Sequence, residues 1–151
     1  MEYRGPFLLL YALNQQLGSL LVKAMAEAPL TPSEFAVYSS LRLEQPTTPS
    51  ELAGVLGLRP TTMSSQLAKM DAQGHLVRAR NPRDGRSTVI SLTPEGLAAT
   101  EACFASCSAA LTTYQRHFVG DESDLLSRLE AMSDALGHAV EELNGGGGRP
   151  A

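Results

Sequence analysis

The chain has 151 residues, of which 43% are hydrophobic and 19% charged, and this composition predicts one globular unit with a hydrophobic core. No uninterrupted apolar run approaches the ~18 residues of a membrane-spanning helix, and no secretory signal peptide is recognisable, so we expect a soluble, cytoplasmic protein. The net charge of −4 gives no bulk indication of a nucleic-acid partner.

The charge is unevenly distributed along the chain. Residues 59–86 hold six basic and two acidic side chains, a net charge of +4, so the remaining positions carry −8. A basic stretch in an otherwise acidic chain attracts a polyanion to one region and orients the encounter. The basic residues are Arg59, Lys69, Arg78, Arg80, Arg83 and Arg86.

Helical periodicity and helix-start signals dominate the first half of the chain. Residues 7–25 carry apolar side chains at helical spacing and predict the first helix. The sequence Thr-Pro-Ser-Glu occurs at 31–34 and again at 48–51, and each copy combines a capping box with proline at the first helical position. Gly57 ends the third helix and a fourth follows over 60–73. The third and fourth helices form a helix-turn-helix candidate.

The second half begins with a hairpin. Residues 75–80 and 87–92 predict strands, and the basic, turn-rich segment 81–86 predicts the tip between them. A long helix follows from Thr93-Pro94-Glu95 towards residue 117 or 118. The final helix has apolar residues at coiled-coil spacing, namely Leu129, Met132, Leu136, Ala139 and Leu143.

The predicted fold class is mainly α with a small two- to three-stranded β wing. It is a winged helix-turn-helix with long N- and C-terminal dimerisation helices. We expect dimerisation helices at 1–29 and 97–144, a DNA-binding domain at 30–96 and a flexible tail at 145–151.

The fourth helix and the hairpin tip carry the candidate DNA-binding residues. An α-helix fits the major groove, where hydroxyl, amide and ammonium groups contact phosphates or base edges. Asp84 is expected to pair with Arg86 or Arg80 and so to fix the shape of the hairpin. The candidate DNA-binding residues are Thr61, Thr62, Ser65, Gln66, Lys69, Arg83 and Arg86.

Motifs between residues 51 and 96 resemble the MarR family of bacterial transcription regulators. Asp84-Gly85-Arg86 matches the family's Asp-x-Arg wing signature, and Leu92-Thr93-Pro94-Glu95-Gly96 is similar to the step into its fifth helix. The resemblance implies a dimeric repressor or activator in which the wing aspartate pairs with an arginine and wing arginines reach the minor groove. The sequence departs from the family at Gly85, where many members have arginine, and at Ser65, which is often basic.

The leading functional hypothesis is a homodimeric regulator, in the main a repressor, that binds an inverted-repeat operator in double-stranded DNA. A small aromatic or lipophilic effector would release the regulator from DNA. The resemblance places the binding site of this effector in a crevice between the dimerisation and DNA-binding parts. The alternative hypotheses are a winged-helix protein-interaction module with weak or no DNA binding and a thiol-based redox sensor that uses Cys103 and Cys107. No catalytic constellation, cofactor motif or metal motif is recognisable, so an enzyme is not expected. The candidate effector-binding residues are Tyr11, Asn14, Tyr38 and Phe104.

Cys103 and Cys107 are four residues apart and share one helical face. This spacing suits a redox pair or part of a metal site, although zinc requires further ligands. The neighbouring small residues favour simple packing in the core, because cysteine behaves there as a small apolar side chain. His75 follows the glycine that ends the fourth helix, and we expect it to cap or pack.

Overall fold

The computed structural model describes residues 5–145. It confirms the predicted fold class, since the described chain is mainly helical and has one small antiparallel sheet. The elements in chain order are α1 (Pro6–Ala24), α2 (Pro32–Glu44), α3 (Pro49–Val55), α4 (Pro60–Ala72), β1 (Leu76–Arg80), β2 (Thr88–Leu92), α5 (Pro94–Gln115) and α6 (Glu122–Gly145).

The described residues form two compact units, the first ending at Gln115 and the second beginning at Arg116. The first unit contains α1 to α5 and the sheet, and the second contains α6. The flexible tail expected at 145–151 lies almost wholly outside the described residues. No helix among residues 5–145 is long and apolar enough to cross a membrane.

The repeated Thr-Pro-Ser-Glu segments start α2 and α3 as predicted. Thr31 Oγ1 accepts a hydrogen bond from the Glu34 backbone N–H at 3.3 Å, and Glu34 Oε2 accepts one from the Thr31 N–H at 3.0 Å. Thr48 and Glu51 repeat this exchange at 3.2 and 2.8 Å. Both capping boxes therefore satisfy backbone donors that the helix itself leaves unpaired.

The sheet pairs β1 with β2 in a register that sets Leu76 opposite Leu92 and Arg80 opposite Thr88. Thr47 adds an isolated bridge, because its backbone exchanges two hydrogen bonds with that of Ile90. The segment before α3 thus supplies the edge of a third strand, consistent with a two- to three-stranded wing.

The hydrophobic core of the first unit holds the helix-turn-helix against the base of the sheet and α5. Apolar side chains from α2, α3, α4, β2 and α5 meet there, and their burial is the main favourable term in folding. The largest fully buried apolar and aromatic side chains are Tyr38, Leu41, Leu52, Met63, Met70, Ile90 and Val37.

In the second unit, Asp121 precedes α6 and caps its first turn. Its Oδ1 atom accepts hydrogen bonds from the backbone N–H groups of Ser123 and Asp124 at 2.7 and 3.1 Å. Arg128 then pairs with Asp124 one turn later, at 2.8 Å. These contacts join residues two to four positions apart, and contacts this local can be predicted from the sequence.

Candidate nucleic-acid interface

A left-handed glycine makes the turn between α3 and α4. Gly57 has φ +61°, a conformation that side chains with a Cβ atom rarely adopt. The Leu58 N–H donates to the Ala53 carbonyl at 2.9 Å and closes the end of α3. Arg59 then stands at the N-cap of α4, so the turn delivers an arginine directly to the start of this helix.

The two faces of α4 have opposite chemistry. Met63, Leu67 and Met70 are buried in the core at i, i+4 and i+7. Because this spacing fixes the inner face, the residues between them form a polar outer face. Thr61, Thr62, Ser65 and Lys69 are exposed on α4, and Gln66 is half-buried.

The N-terminus of α4 differs from those of α2 and α3 because no side chain within residues 5–145 caps it. Its first backbone N–H groups are therefore available to water or to an anion such as a phosphate. Arg59 is exposed beside these groups. Sequence reasoning counted this arginine in the basic segment but did not include it among the site residues, although its place before a proline-initiated helix was visible.

Lys69 is not a free cation on the outer face. Its Nζ atom lies 3.6 Å from Glu34 Oε1, and the side chains are 59% and 20% exposed. The pKa of Glu34 is lowered, chiefly by the hydrogen bond from the Thr31 backbone and also by the Lys69 charge. Lys69 therefore joins α4 to the start of α2 while most of its side chain still faces solvent.

The hairpin tip, residues 81–87, is closed by its own polar groups. Asn81 Nδ2 donates to Ser87 Oγ at 2.8 Å, and Asn81 Oδ1 accepts from the Arg83 backbone N–H at 2.9 Å. Arg80 Nε donates to the Gly85 carbonyl at 2.9 Å. These bonds shape the tip without using the guanidinium groups of Arg83 and Arg86, which remain exposed.

The predicted side-chain pairing of Asp84 is wrong for this structure. Asp84 Oδ1 accepts from the Arg86 backbone N–H at 3.1 Å, and no ion pair within residues 5–145 joins Asp84 to Arg86 or Arg80. The reason is local, since an aspartate in a turn reaches the N–H two residues later more readily than a mobile side chain. Asp84 still fixes the hairpin, but it does so through the backbone.

An ion pair ties the hairpin to α4. Arg78 of β1 donates from Nη2 and Nε to Asp71 Oδ2 of α4, at 2.6 and 3.2 Å. On α3, the pKa of Glu51 is lowered by hydrogen bonds from Thr48 and, more weakly, by the charge of Arg83. The junction of the helix and the wing thus holds an ion pair between Arg78 of β1 and Asp71 of α4.

This arrangement, an exposed polar helix face beside an arginine-bearing wing, has clear relatives. A model described as the MarR family matches residues 30–88. The multiple antibiotic resistance protein MarR of Salmonella typhimurium is 33% identical over 95 residues, which are 63% of this chain and 66% of that protein. A mutant MarR from E. coli, crystallised with operator DNA, has a TM-score of 0.71 at 26% identity and covers 82% of this chain and 89% of its own. The chain is therefore similar to the MarR family over its helix-turn-helix and wing.

A second relative extends the match along the chain. The transcriptional repressor MdtR of Bacillus subtilis is 25% identical over 135 residues, 89% of this chain and 87% of the repressor. The match to the Salmonella MarR protein, in contrast, spans just under two thirds of that protein. The MarR relatives are transcription regulators rather than enzymes.

The four candidate effector residues do not share one environment. Tyr11 and Asn14 are exposed on α1, three residues apart. Tyr38 is only 1% exposed, so its burial leaves no surface for a ligand. Phe104 is 37% exposed and packs edge-on against Phe35, with ring centroids 5.5 Å apart.

Sequence reasoning missed Arg42, which lies over the Phe104 ring at 5.0 Å and contacts Glu101 Oε1 at 3.6 Å. Ser39 stands between Phe35 and Arg42 on the same face of α2. Its hydroxyl oxygen is buried and has no hydrogen-bond partner among residues 5–145. A half-exposed guanidinium, an aromatic pair and an unpaired hydroxyl therefore lie where α2 meets α5.

Both cysteines are free thiols that pack in or beside the core. Cys103 is fully buried and donates weakly to the Ala99 carbonyl, whereas Cys107 is half-buried and lies 3.6 Å from the Met25 sulfur. Burial raises the pKa of both thiols. A raised pKa disfavours the reactive thiolate, so the environment favours packing over redox chemistry. No cluster of three or more His, Cys, Asp or Glu residues within 5–145 is arranged to hold a metal ion.

Proposed function

We propose that this chain is a sequence-specific DNA-binding transcriptional regulator that acts as a homodimer on an inverted-repeat operator. The observation that carries the proposal is the combination of an exposed polar row on α4 with two exposed arginines at the wing tip. Both lie within the segment whose net charge is +4. Such a surface meets a duplex at two places at once, in a groove and along the backbone.

In the proposed complex, α4 is the recognition helix. Thr61, Thr62, Ser65 and Gln66 contact base edges or phosphates, because hydroxyl and amide groups form both kinds of hydrogen bond. Lys69 exchanges part of its contact with Glu34 for a phosphate. The uncapped start of α4, together with Arg59, adds a further phosphate contact.

The wing supplies the second contact. Arg83 and Arg86 carry long, always-charged side chains that bind phosphates or enter a narrow minor groove. Asp84 has a structural role, since its carboxylate holds the Arg86 backbone at the tip. Arg83 directly precedes the Asp84-Gly85-Arg86 signature and Arg86 ends it, so the tip carries two arginines three positions apart.

The homodimer is supported by apolar surface on the terminal helices. On α1, Phe7 is 74% exposed and Leu17 55% exposed, and on α6 Leu126 and Val140 are 60% and 57% exposed. Exposed apolar surface of this extent marks a protein interface. A two-fold dimer would set two recognition helices one helical turn of DNA apart.

We propose repression as the mode of action, as in the transcriptional repressor MdtR, and the cytoplasm as the location, because a regulator works at the chromosome. Enzymatic activity is not part of the proposal. The genes controlled by the chain are those whose upstream regions contain its inverted repeat.

The effector is a second component of the proposal, favoured by the surroundings of Arg42. A small aromatic acid would pair its carboxylate with this guanidinium in place of Glu101 and stack its ring on Phe104. Thermal-shift screening with aromatic acids tests this, because a ligand of the folded state raises the melting temperature. Arg42→Met should abolish the shift, and an equal shift in that variant would remove the assignment.

The direct test of DNA binding is a gel shift with duplexes from the region upstream of the chain's own gene. We expect a complex that forms with an inverted repeat, dissociates as salt increases and contains two protomers. No salt-sensitive binding to any such duplex would contradict the proposal and favour a protein-interaction module.

A further inference from the structure

A part-buried hydrogen-bonded junction lies at the C-terminal end of α4. At its centre is Tyr38 of α2, which is 1% exposed. Its hydroxyl oxygen is 3.0 Å from Gln73 Oε1 and 2.9 Å from His75 Nδ1. The rings of Tyr38 and His75 also pack edge to face, with centroids 5.8 Å apart.

The number of available protons determines which group donates and which accepts in each hydrogen bond of this junction. A phenol has one proton to donate, and a glutamine oxygen can only accept. The Tyr38 O–H therefore donates to Gln73 Oε1, and the Tyr38 oxygen accepts from a proton on His75 Nδ1. Tyr38 is buried, whereas Gln73 is exposed and His75 half-buried, so the two bonds lie at the edge of the core. Both converge on the Tyr38 hydroxyl, so the loss of its oxygen breaks both at once.

The junction joins the elements that are proposed to read DNA. Gln73 is the C-cap of α4, and His75 immediately precedes β1, the first strand of the wing. Gly74 between them has φ +72°, so the chain reverses there. Thr93, just before α5, completes the connection with bonds from its N–H to the His75 carbonyl at 3.0 Å and from its Oγ1 to the Gly74 carbonyl at 2.9 Å.

Gly96 in the first turn of α5 allows this close approach. A Cβ atom at that position would stand 2.5 Å from the His75 carbonyl oxygen, which belongs to the backbone and cannot move away cheaply. The end of α4, the root of the wing and the start of α5 therefore meet around one tyrosine of α2.

We propose that Tyr38 is a positioning residue for DNA recognition: its hydroxyl holds the recognition helix and the wing at the angle at which both contact one duplex. This inference rests on the proposed function. In this proposal the recognition helix and the wing must contact one duplex at the same time. A chain in which the angle between them varies must first restore the binding angle, and it therefore binds DNA with lower apparent affinity. Tyr38 acts from the core and touches no DNA.

The test is Tyr38→Phe, which removes one oxygen and leaves the ring in place. We expect about 10-fold weaker binding to the operator, because the substitution removes both part-buried hydrogen bonds of the hydroxyl. Thr100→Val is the matched control, since it removes a buried hydroxyl whose bond to the Gly96 carbonyl stays within α5. Both variants should lose a similar amount of thermal stability, and only Tyr38→Phe should lose DNA affinity.

A measurement on the free protein separates this inference from the proposed function. The ring ¹⁵N shifts of His75 should show a protonated Nδ1 in the wild type and a change in Tyr38→Phe, with no change in Thr100→Val. Operator affinity that falls equally in both variants, or an unprotonated Nδ1 in the wild type, would overturn the assignment. Wild-type protein that binds no DNA would refute the proposed function while the ring shifts still report on the junction.

Discussion

Asp84 shows how one side chain controls the wing without an ion pair. The contact with the Arg86 N–H needs an oxygen acceptor at this position but not a negative charge. Asp84→Asn should therefore keep the tip and bind DNA as well as the wild type or better, because a negative charge near the phosphates is removed. Asp84→Ala loses the acceptor and should bind about fivefold more weakly.

Fluorescence anisotropy with a labelled operator measures both variants under the same conditions. Equal losses in Asp84→Asn and Asp84→Ala would instead assign the function to the carboxylate charge and restore the ion-pair interpretation.

The raised pKa of the Cys103 and Cys107 thiols predicts how the stability of the fold responds to alkaline pH. Burial raises the pKa of both thiols in the folded chain, whereas in the unfolded chain a thiol titrates at about 8.5. Their contribution to stability is therefore complete below that pH and is lost as the pH rises through the folded values. The melting temperature of the wild type should fall between about pH 8.5 and 10 more steeply than that of the Cys103→Ala/Cys107→Ala variant. Identical slopes would show that these thiols are not desolvated.

At the scale of the element, the capping box of α2 gives a quantitative prediction. Thr31→Ala removes an acceptor for the Glu34 N–H and should cost about 1 kcal/mol in the free energy of unfolding by urea. Ser33→Ala, in the same helical turn but outside the capping box, is the control and should cost much less. A cost for Ser33→Ala equal to that of Thr31→Ala would show that the cap adds nothing.

The same capping box has a defined pH dependence. The pKa of Glu34 is lowered in the folded chain, mainly by the Thr31 backbone hydrogen bond. The contribution of Glu34 to stability is present above its pKa in the unfolded chain, about 4.3, and is lost as the pH falls through its lower pKa in the folded chain. The difference between the wild type and Thr31→Ala should therefore shrink below pH 4 or so.

The elements themselves could be predicted from the sequence because their signals are local. Capping boxes, left-handed glycines and periodic apolar residues lie within a few positions of the boundaries that they set. The contacts that position the site join distant parts of the chain, such as Tyr38 with His75 and Arg42 with Phe104. One sequence without aligned homologues carries no signal for such pairs, and Tyr38 was accordingly assigned to an effector crevice.

The wing has features that the sequence predicted and others that it did not. Its place and its exposed arginines were evident from the spacing of Arg83 and Arg86. Its internal bonding was not, because several acceptors near Arg80 compete and the Gly85 carbonyl makes the contact at 2.9 Å. Side-chain choice within a turn depends on backbone geometry that composition does not encode.

At the scale of the whole molecule, exposed apolar residues on the terminal helices predict a dimer. Light scattering after size exclusion should give a mass near twice the 16.1 kDa of the chain. Leu17→Glu places a charge on the exposed α1 face and should shift the population towards monomer at micromolar concentration. Leu43→Glu, at a position 83% exposed near the end of α2, is the control and should remain dimeric. A wild-type monomer at high concentration would contradict the proposed assembly.

The central claim is that the wing arginines and α4 bind DNA in a sequence-specific way. Its most direct measurement is the affinity for the inverted repeat and for a scrambled duplex over a salt series, with Arg83→Ala/Arg86→Ala compared with Arg128→Ala. We predict preference for the repeat, a loss of about 10-fold or more in the double variant, and a salt slope smaller by about one unit per lost phosphate contact. Arg128→Ala should match the wild type. Equal affinity for both duplexes, or a double variant that binds like the wild type, would contradict the account.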